Sequence, residues 1–263
     1  MSGVAVDILS PYVFGAALIL LRLGVASVFL PVLGGSQTPV TVRLFVVLFT
    51  TVAIDLGLGG VRVDLPASVL ITASMAATEG IIGAGVGLAV RLVFGAVEAA
   101  GAIAATSMGL SMDMLIDPSS GEENSTVALL LSVTSSLVFL AVDGLHIVMT
   151  ALFELFVQMP PGGAGYSLPT LDMLVEAVGH LSRSAVILAA PPMVVGLVVN
   201  VGIAFASRVV PSLNVFAVSL GLLTACGLLS LGLAGDSLVH FITREVAELP
   251  AWVFRLSGAP ERL

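Results

Sequence analysis

Arg22, Glu79, Arg91 and Glu98 are ionisable residues set inside long apolar runs of this sequence. A charge at a bilayer centre costs about 2.5–3.5 kcal/mol on insertion scales, so each should face protein or water rather than lipid. Residues of this kind build polar pathways or contacts between subunits. At a helix end the same residue simply snorkels to the interface, the reading that suits Arg43, close to a loop. Arg91 and Glu98 stand seven apart on one helix face, too far for an ideal i,i+4 pair.

The groups that catalysis would need do not assemble. HExxH, CxxC and a glycine-rich loop ending in Lys-Ser/Thr are all missing, so no metal or cofactor is expected. Ser111 has His146 and His180 as conceivable bases, but nothing in the sequence ties either to it. Asp113 and Asp117, four apart, could share a proton on a helix, whereas Pro118 favours a loop. The glycines of "GIIGAGVGLAV" (80–90) lack the preceding strand of a dinucleotide fold. Gly83 and Gly87 instead form a small-xxx-small face for close helix packing. The chain reads as a non-enzyme.

The elements that must position these residues are helices. Of 263 residues, 58% are hydrophobic and 10% charged, with a mean hydropathy of +1.15. Soluble domains run nearer ~45–50% apolar and ~25% charged, so a membrane setting is indicated. All nine basic residues are arginine, and 17 acids leave a net charge of -8, which argues against nucleic acid. Cys226 has no second cysteine to pair with and reads as a packing residue.

Apolar runs cover 11–33, 40–58, 66–112, 126–157, 171–207 and 215–239, most reaching the ~20 residues of a membrane-crossing helix. Pro191-Pro192 is expected to divide the fifth. The N-terminus carries Asp7 and no basic stretch, so the first run is expected to stay in the mature protein. Arg244, Arg255 and Arg262 gather near the C-terminus and favour a cytoplasmic tail. The expectation is a single all-α domain over 1–263, membrane-associated, with long hydrophobic helices and kinked helical hairpins.

The order of motifs resembles the FliR family of flagellar export-gate proteins and its type III secretion counterpart, the SctT family. The resemblance runs from about residue 10 to 245, with 246–263 as a C-terminal tail. It is carried by Arg22, Pro31, Pro39 and Arg43, by Ala100-Gly101, and by "MGLS" at 108–111 followed by Asp117-Pro118. Gly144, His146, Pro160, Pro192, Arg208, Pro211 and Phe216 follow in the family's order. Departures are Asp143 where asparagine is usual, Leu145 interrupting the histidine position, Ser212 for a glutamine, and "SLG" at 219–221 for Gly-Phe-Pro.

The resemblance implies a structural subunit that joins FliP-like and FliQ-like partners, and an FlhB-like one, in a helical hetero-oligomeric export gate. Its implied place is the bacterial inner membrane, at a flagellar basal body or secretion apparatus. "MGLS" beside Asp117-Pro118 favours the flagellum. Unfolded export substrates would pass through the portal. The resemblance also implies a channel plug loop carrying Met108, Gly109, Ser111, Met112, Asp113, Met114, Asp117, Pro118 and Gly121. Flexible methionines can seal a gap yet deform, and Pro118 prevents a continuous helix. An exposed acidic connection is the plainer reading of the same segment. Arg22, Glu79, Arg91 and Glu98 would be intramembrane charges or subunit contacts. The alternative from another class is a polytopic secondary transporter built on Glu79, Arg91 and Glu98.

Overall fold

The computed structural model describes residues 2–30, 34, 38–110, 126–163, 166, 169–209 and 215–259. Among them the regular elements are all helical: α1 Ser2–Phe29, α2 Val40–Gly57, α3 Val69–Ser107, α4 Thr126–Ala141, α5 Gly144–Gln158, α6 Leu171–Val209, α7 Val215–Leu233 and α8 Gly235–Ser257. Their near-continuous apolar composition explains this, because in lipid a helix satisfies every backbone group within one segment. Four are long and apolar enough to cross a membrane: Leu9–Phe29, Val40–Gly57, Val69–Ser107 and Leu171–Val209. Six are, if α4 with α5 and α7 with α8 each count as one broken span.

Contacts divide the chain into two compact units joined by continuous helices. One comprises 1–92, 144–177 and 247–263; the other comprises 93–143 and 178–246. In the first, α1 packs against α2, and α3 lies across α1 through its glycines. A Cβ at Gly83 would strike the backbone of Arg22, and one at Gly87 would press on Ala26 and Phe29. The second has Phe94 and Phe139 edge to face at 5.4 Å, and Gly101 seated on the backbone of Ala128.

Three features depart from the sequence expectations. Pro191 and Pro192 do not divide α6, which runs unbroken for 39 residues. Each removes one backbone donor, a loss that neighbouring groups in a membrane helix can absorb. Asp143 breaks the long fourth run instead, at φ +56°, a left-handed conformation that Asp and Asn tolerate better than other side chains. The segment read as a C-terminal tail is helical to Ser257, with Leu249, Val253 and Leu256 fully buried. Spacings of three and four residues between Ile242, Val246, Leu249, Val253 and Leu256 explain it, since they make one apolar stripe.

Candidate functional site

The most concentrated polar arrangement in the first unit is built on Arg22 of α1 and Glu79 of α3, 0% and 1% exposed. Arg22 Nε donates to Glu79 Oε2 at 2.6 Å, and Nη1 donates to the Met159 carbonyl at 3.0 Å. The other carboxylate oxygen, Oε1, accepts the Gly162 N–H at 2.8 Å. The guanidinium also lies over the Phe156 ring, 4.4 Å from its centroid, where the π face attracts the cation. Nη2 has no hydrogen-bond partner among the described residues.

The turn after α5 completes this arrangement. Gly162 holds φ +73°, a left-handed value that glycine takes without steric cost, and so presents its N–H to Glu79. The Tyr166 hydroxyl donates to the Pro160 carbonyl at 2.7 Å. Burial raises the Tyr166 pKa above its usual 10.0, with Arg22 pulling it down and Glu79 pushing it up. Chemically this is a closed ion pair. Both carboxylate oxygens are engaged and the group is shut from solvent, an arrangement suited to holding three chain segments together rather than passing an ion.

Arg22 and Glu79 are therefore paired with each other inside the first unit. Sequence reasoning placed both in protein or water but did not pair them, because 57 residues separate them. It missed Phe156, Met159, Gly162 and Tyr166 altogether. The signal for the turn was "MPPGG", whose first glycine can supply the left-handed N–H. Arg91 and Glu98 are half-buried on α3.

In the second unit, α3 ends at Ser107, and Met108 and Gly109 follow as a turn. Met108 is fully buried, its side chain lying against Gly227 of α7, where a Cβ would collide with it. Gly109 takes φ +73° beside Leu220 and Leu223. Met108 is thus a packing residue of this unit. Ser111, Met112, Asp113, Met114, Asp117, Pro118 and Gly121 lie outside the described residues. Of the bases considered for Ser111, His146 is exposed on α5, and His180 Nε2 lies 3.7 Å from Glu245 Oε1.

Residues 13–249 match the family described as bacterial export proteins, family 1. The chain belongs to that family. Curated relatives within reach include the flagellar biosynthetic protein FliR of Pectobacterium carotovorum subsp. carotovorum, 29% identical over 58% of this chain and 59% of that protein. The FliR of Caulobacter vibrioides is 28% identical over 86% of this chain and 91% of its own length. The Yop proteins translocation protein T of Yersinia pestis is 29% identical over 56% of this chain and 57% of its own. The aligned stretch thus spans less than two thirds of the Pectobacterium and Yersinia proteins. For this export protein, the match takes in Arg22, Glu79 and the turn that binds them, together with the whole of 108–125.

Proposed function

We propose that the chain is a structural, channel-forming subunit of a type III protein export gate, helping to form and plug the portal for unfolded substrates. The observation that carries this reading is the family match over residues 13–249. The relatives' names add a flagellar biosynthetic role and a Yop translocation role. The flagellar assignment rests on the motif order and on alignment to the Caulobacter FliR over 86% of this chain, against 56% for the Yersinia protein. The inner membrane is the proposed location, supported by the four long apolar helices.

FliP-like, FliQ-like and FlhB-like subunits are the proposed partners. Exposed apolar faces support such covering: Phe45 and Phe49 of α2 are 69% and 78% exposed, and Leu197 and Val198 of α6 are 66% and 65%. Residues 108–121 are the proposed plug, with Met108 as the buried anchor at its start. Arg91 and Glu98 are proposed as intramembrane or inter-subunit charges. In the transporter alternative Glu79 would have to release and rebind an ion, and its engagement by Arg22 and Gly162 speaks against that.

The test is co-expression with the neighbouring FliP-like and FliQ-like proteins, followed by native mass spectrometry in mild detergent. A defined hetero-oligomer containing this chain is expected. A lone monomer or homodimer beside well-folded partners would overturn the reading. Within such a complex, Met112→Ala with Met114→Ala should make the closed gate conduct small ions, and an unchanged conductance would remove the plug.

A further inference from the structure

Among the described residues, one set of three metal-ligating side chains converges. It is His180 of α6 with Glu245 and Glu248 of α8, whose ligand atoms all lie within 4.8 Å of one another. None of the three has a part in the proposed export role. His180 and Glu245 belong to the second unit, and their facing atoms, Nε2 and Oε1, stand 3.7 Å apart. The division between the units falls after Val246, inside the unbroken α8, so Glu248 follows Glu245 by one turn of the same helix. Glu245 is buried, and His180 and Glu248 are half-buried. No HExxH-type motif marks the set, because α6 and α8 bring it together from distant parts of the chain.

Charge and spacing both point to a cation. Glu245 and Glu248 put two carboxylates on one helix face, and a carboxylate only 6% exposed needs positive charge beside it. A protonated His180 supplies one charge to that pair; a divalent ion supplies two. Arg244 is the competing cation, four residues before Glu248 at the spacing of a helical pair, but it is exposed, and exposed pairs are weak. The 3.7 Å gap is longer than a hydrogen bond and is spanned by two metal–ligand bonds of about 2.1 Å. Ligands on one such ion stand no more than about 4.2 Å apart, so the widest gap closes by about 0.6 Å at most, a change of carboxylate torsion.

We propose that His180, Glu245 and Glu248 bind one divalent transition-metal ion. One imidazole and two carboxylates make a mixed nitrogen and oxygen donor set. It suits zinc and its first-row neighbours better than magnesium or calcium, which favour all-oxygen shells. The ion replaces the direct His180–Glu245 contact and ties α6 to α8 within the second unit. Three protein ligands leave a fourth position to water.

The test uses the full chain, purified in mild detergent without a histidine tag and stripped with a chelator. Zinc is then returned alone, and bound metal is counted after gel filtration. Wild type is expected to hold one zinc per chain, with an X-ray absorption first shell of nitrogen and oxygen at about 2.0–2.2 Å. His180→Gln and Glu248→Gln should each weaken binding at least about tenfold, since loss of an outer-shell hydrogen bond alone costs about 10–100-fold. Glu245 is left intact, because its burial would make a folding defect indistinguishable from a lost ligand. His146→Gln combined with His240→Gln should keep the zinc, and Arg244→Gln should not weaken it. Zinc should raise the unfolding midpoint of wild type and leave that of His180→Gln unchanged. Substoichiometric zinc, a first shell without nitrogen, or equal binding by wild type and His180→Gln overturns the proposal, and His180 with Glu245 is then an ion pair alone. Loss of zinc from the His146 and His240 variant overturns it too, since the ion then sits elsewhere. The wild-type first shell decides even where a variant fails to fold.

Discussion

Replacing Arg22 by methionine should be among the most damaging single changes in this chain. The substitution keeps most of the apolar stem but removes two hydrogen bonds and the guanidinium that lies over the Phe156 ring. Glu79 loses the 2.6 Å contact from Nε, and the Met159 carbonyl loses its 3.0 Å donor. What remains is a carboxylate 1% exposed, held among the described residues by the Gly162 N–H alone. Leaving one member of a buried pair uncompensated costs about 3–5 kcal/mol, far more than the pair contributes as a whole. Adding Glu79→Gln to Arg22→Met removes the stranded charge while keeping an acceptor for Gly162. The double variant should therefore recover roughly 2 kcal/mol, a coupling within the range for residues in direct contact. Denaturant unfolding in detergent micelles can be followed through Trp252, the sole tryptophan, half-buried on α8 in the same unit. A single-variant loss below about 1 kcal/mol, or strictly additive losses in the double variant, would refute the reasoning.

Gly83→Leu should destabilise the first unit, because its Cβ already meets the backbone of Arg22 and backbone cannot rotate away. Overpacking of this kind costs about 1–3 kcal/mol, whereas Gly80→Ala, with open space around its Cβ, should cost nothing comparable. Tyr166 predicts an alkaline weakness. Its folded pKa is raised, so the folded state binds more protons than the unfolded state above pH 10. Stability is then complete below about pH 10 and falls as the pH climbs through the raised value. Tyr166→Phe should flatten that decline in a pH series of unfolding midpoints, and an identical slope in both proteins would discount the phenol.

Much of the helical layout was legible because long apolar runs bounded by Gly and Pro clusters leave few other structures open. The second run, 40–58, corresponds to α2 at Val40–Gly57, and the fifth, 171–207, to α6 at Leu171–Val209. What escaped was tertiary. Asp143 gives no warning of a break, since one left-handed residue among apolar neighbours has no periodic signature. The last three turns of α8 escaped because Glu245, Glu248, Pro250 and Arg255 lower the local hydropathy, although the apolar stripe beneath them is regular. The ion pair shows the same limit. Burial forces Arg22 and Glu79 to find partners, but only the folded chain reveals which.

The identity of those partners bears on why the pair exists. An apolar pair of similar volume would on general grounds be as stable or more so, which makes stability a poor explanation for two buried charges. Direction is the property an apolar pair lacks. Gly83, one turn beyond Glu79, lets α1 and α3 approach, but a smooth glycine face does not prevent them from sliding. The contacts from Arg22 and Glu79 to each other, to Met159 and to Gly162 fix α1, α3 and the turn after α5 in one register. Arg22→Leu combined with Glu79→Leu should consequently hold the unfolding midpoint at or above that of wild type. The same variant should lower the yield of assembled complex with the proposed FliP-like and FliQ-like partners, because a slipped register misaligns the exposed apolar faces. If the double-leucine chain assembles as well as wild type, the pair sets no register. If it unfolds as readily as Arg22→Met, the loss in the single variant was one of packing and not of stranded charge.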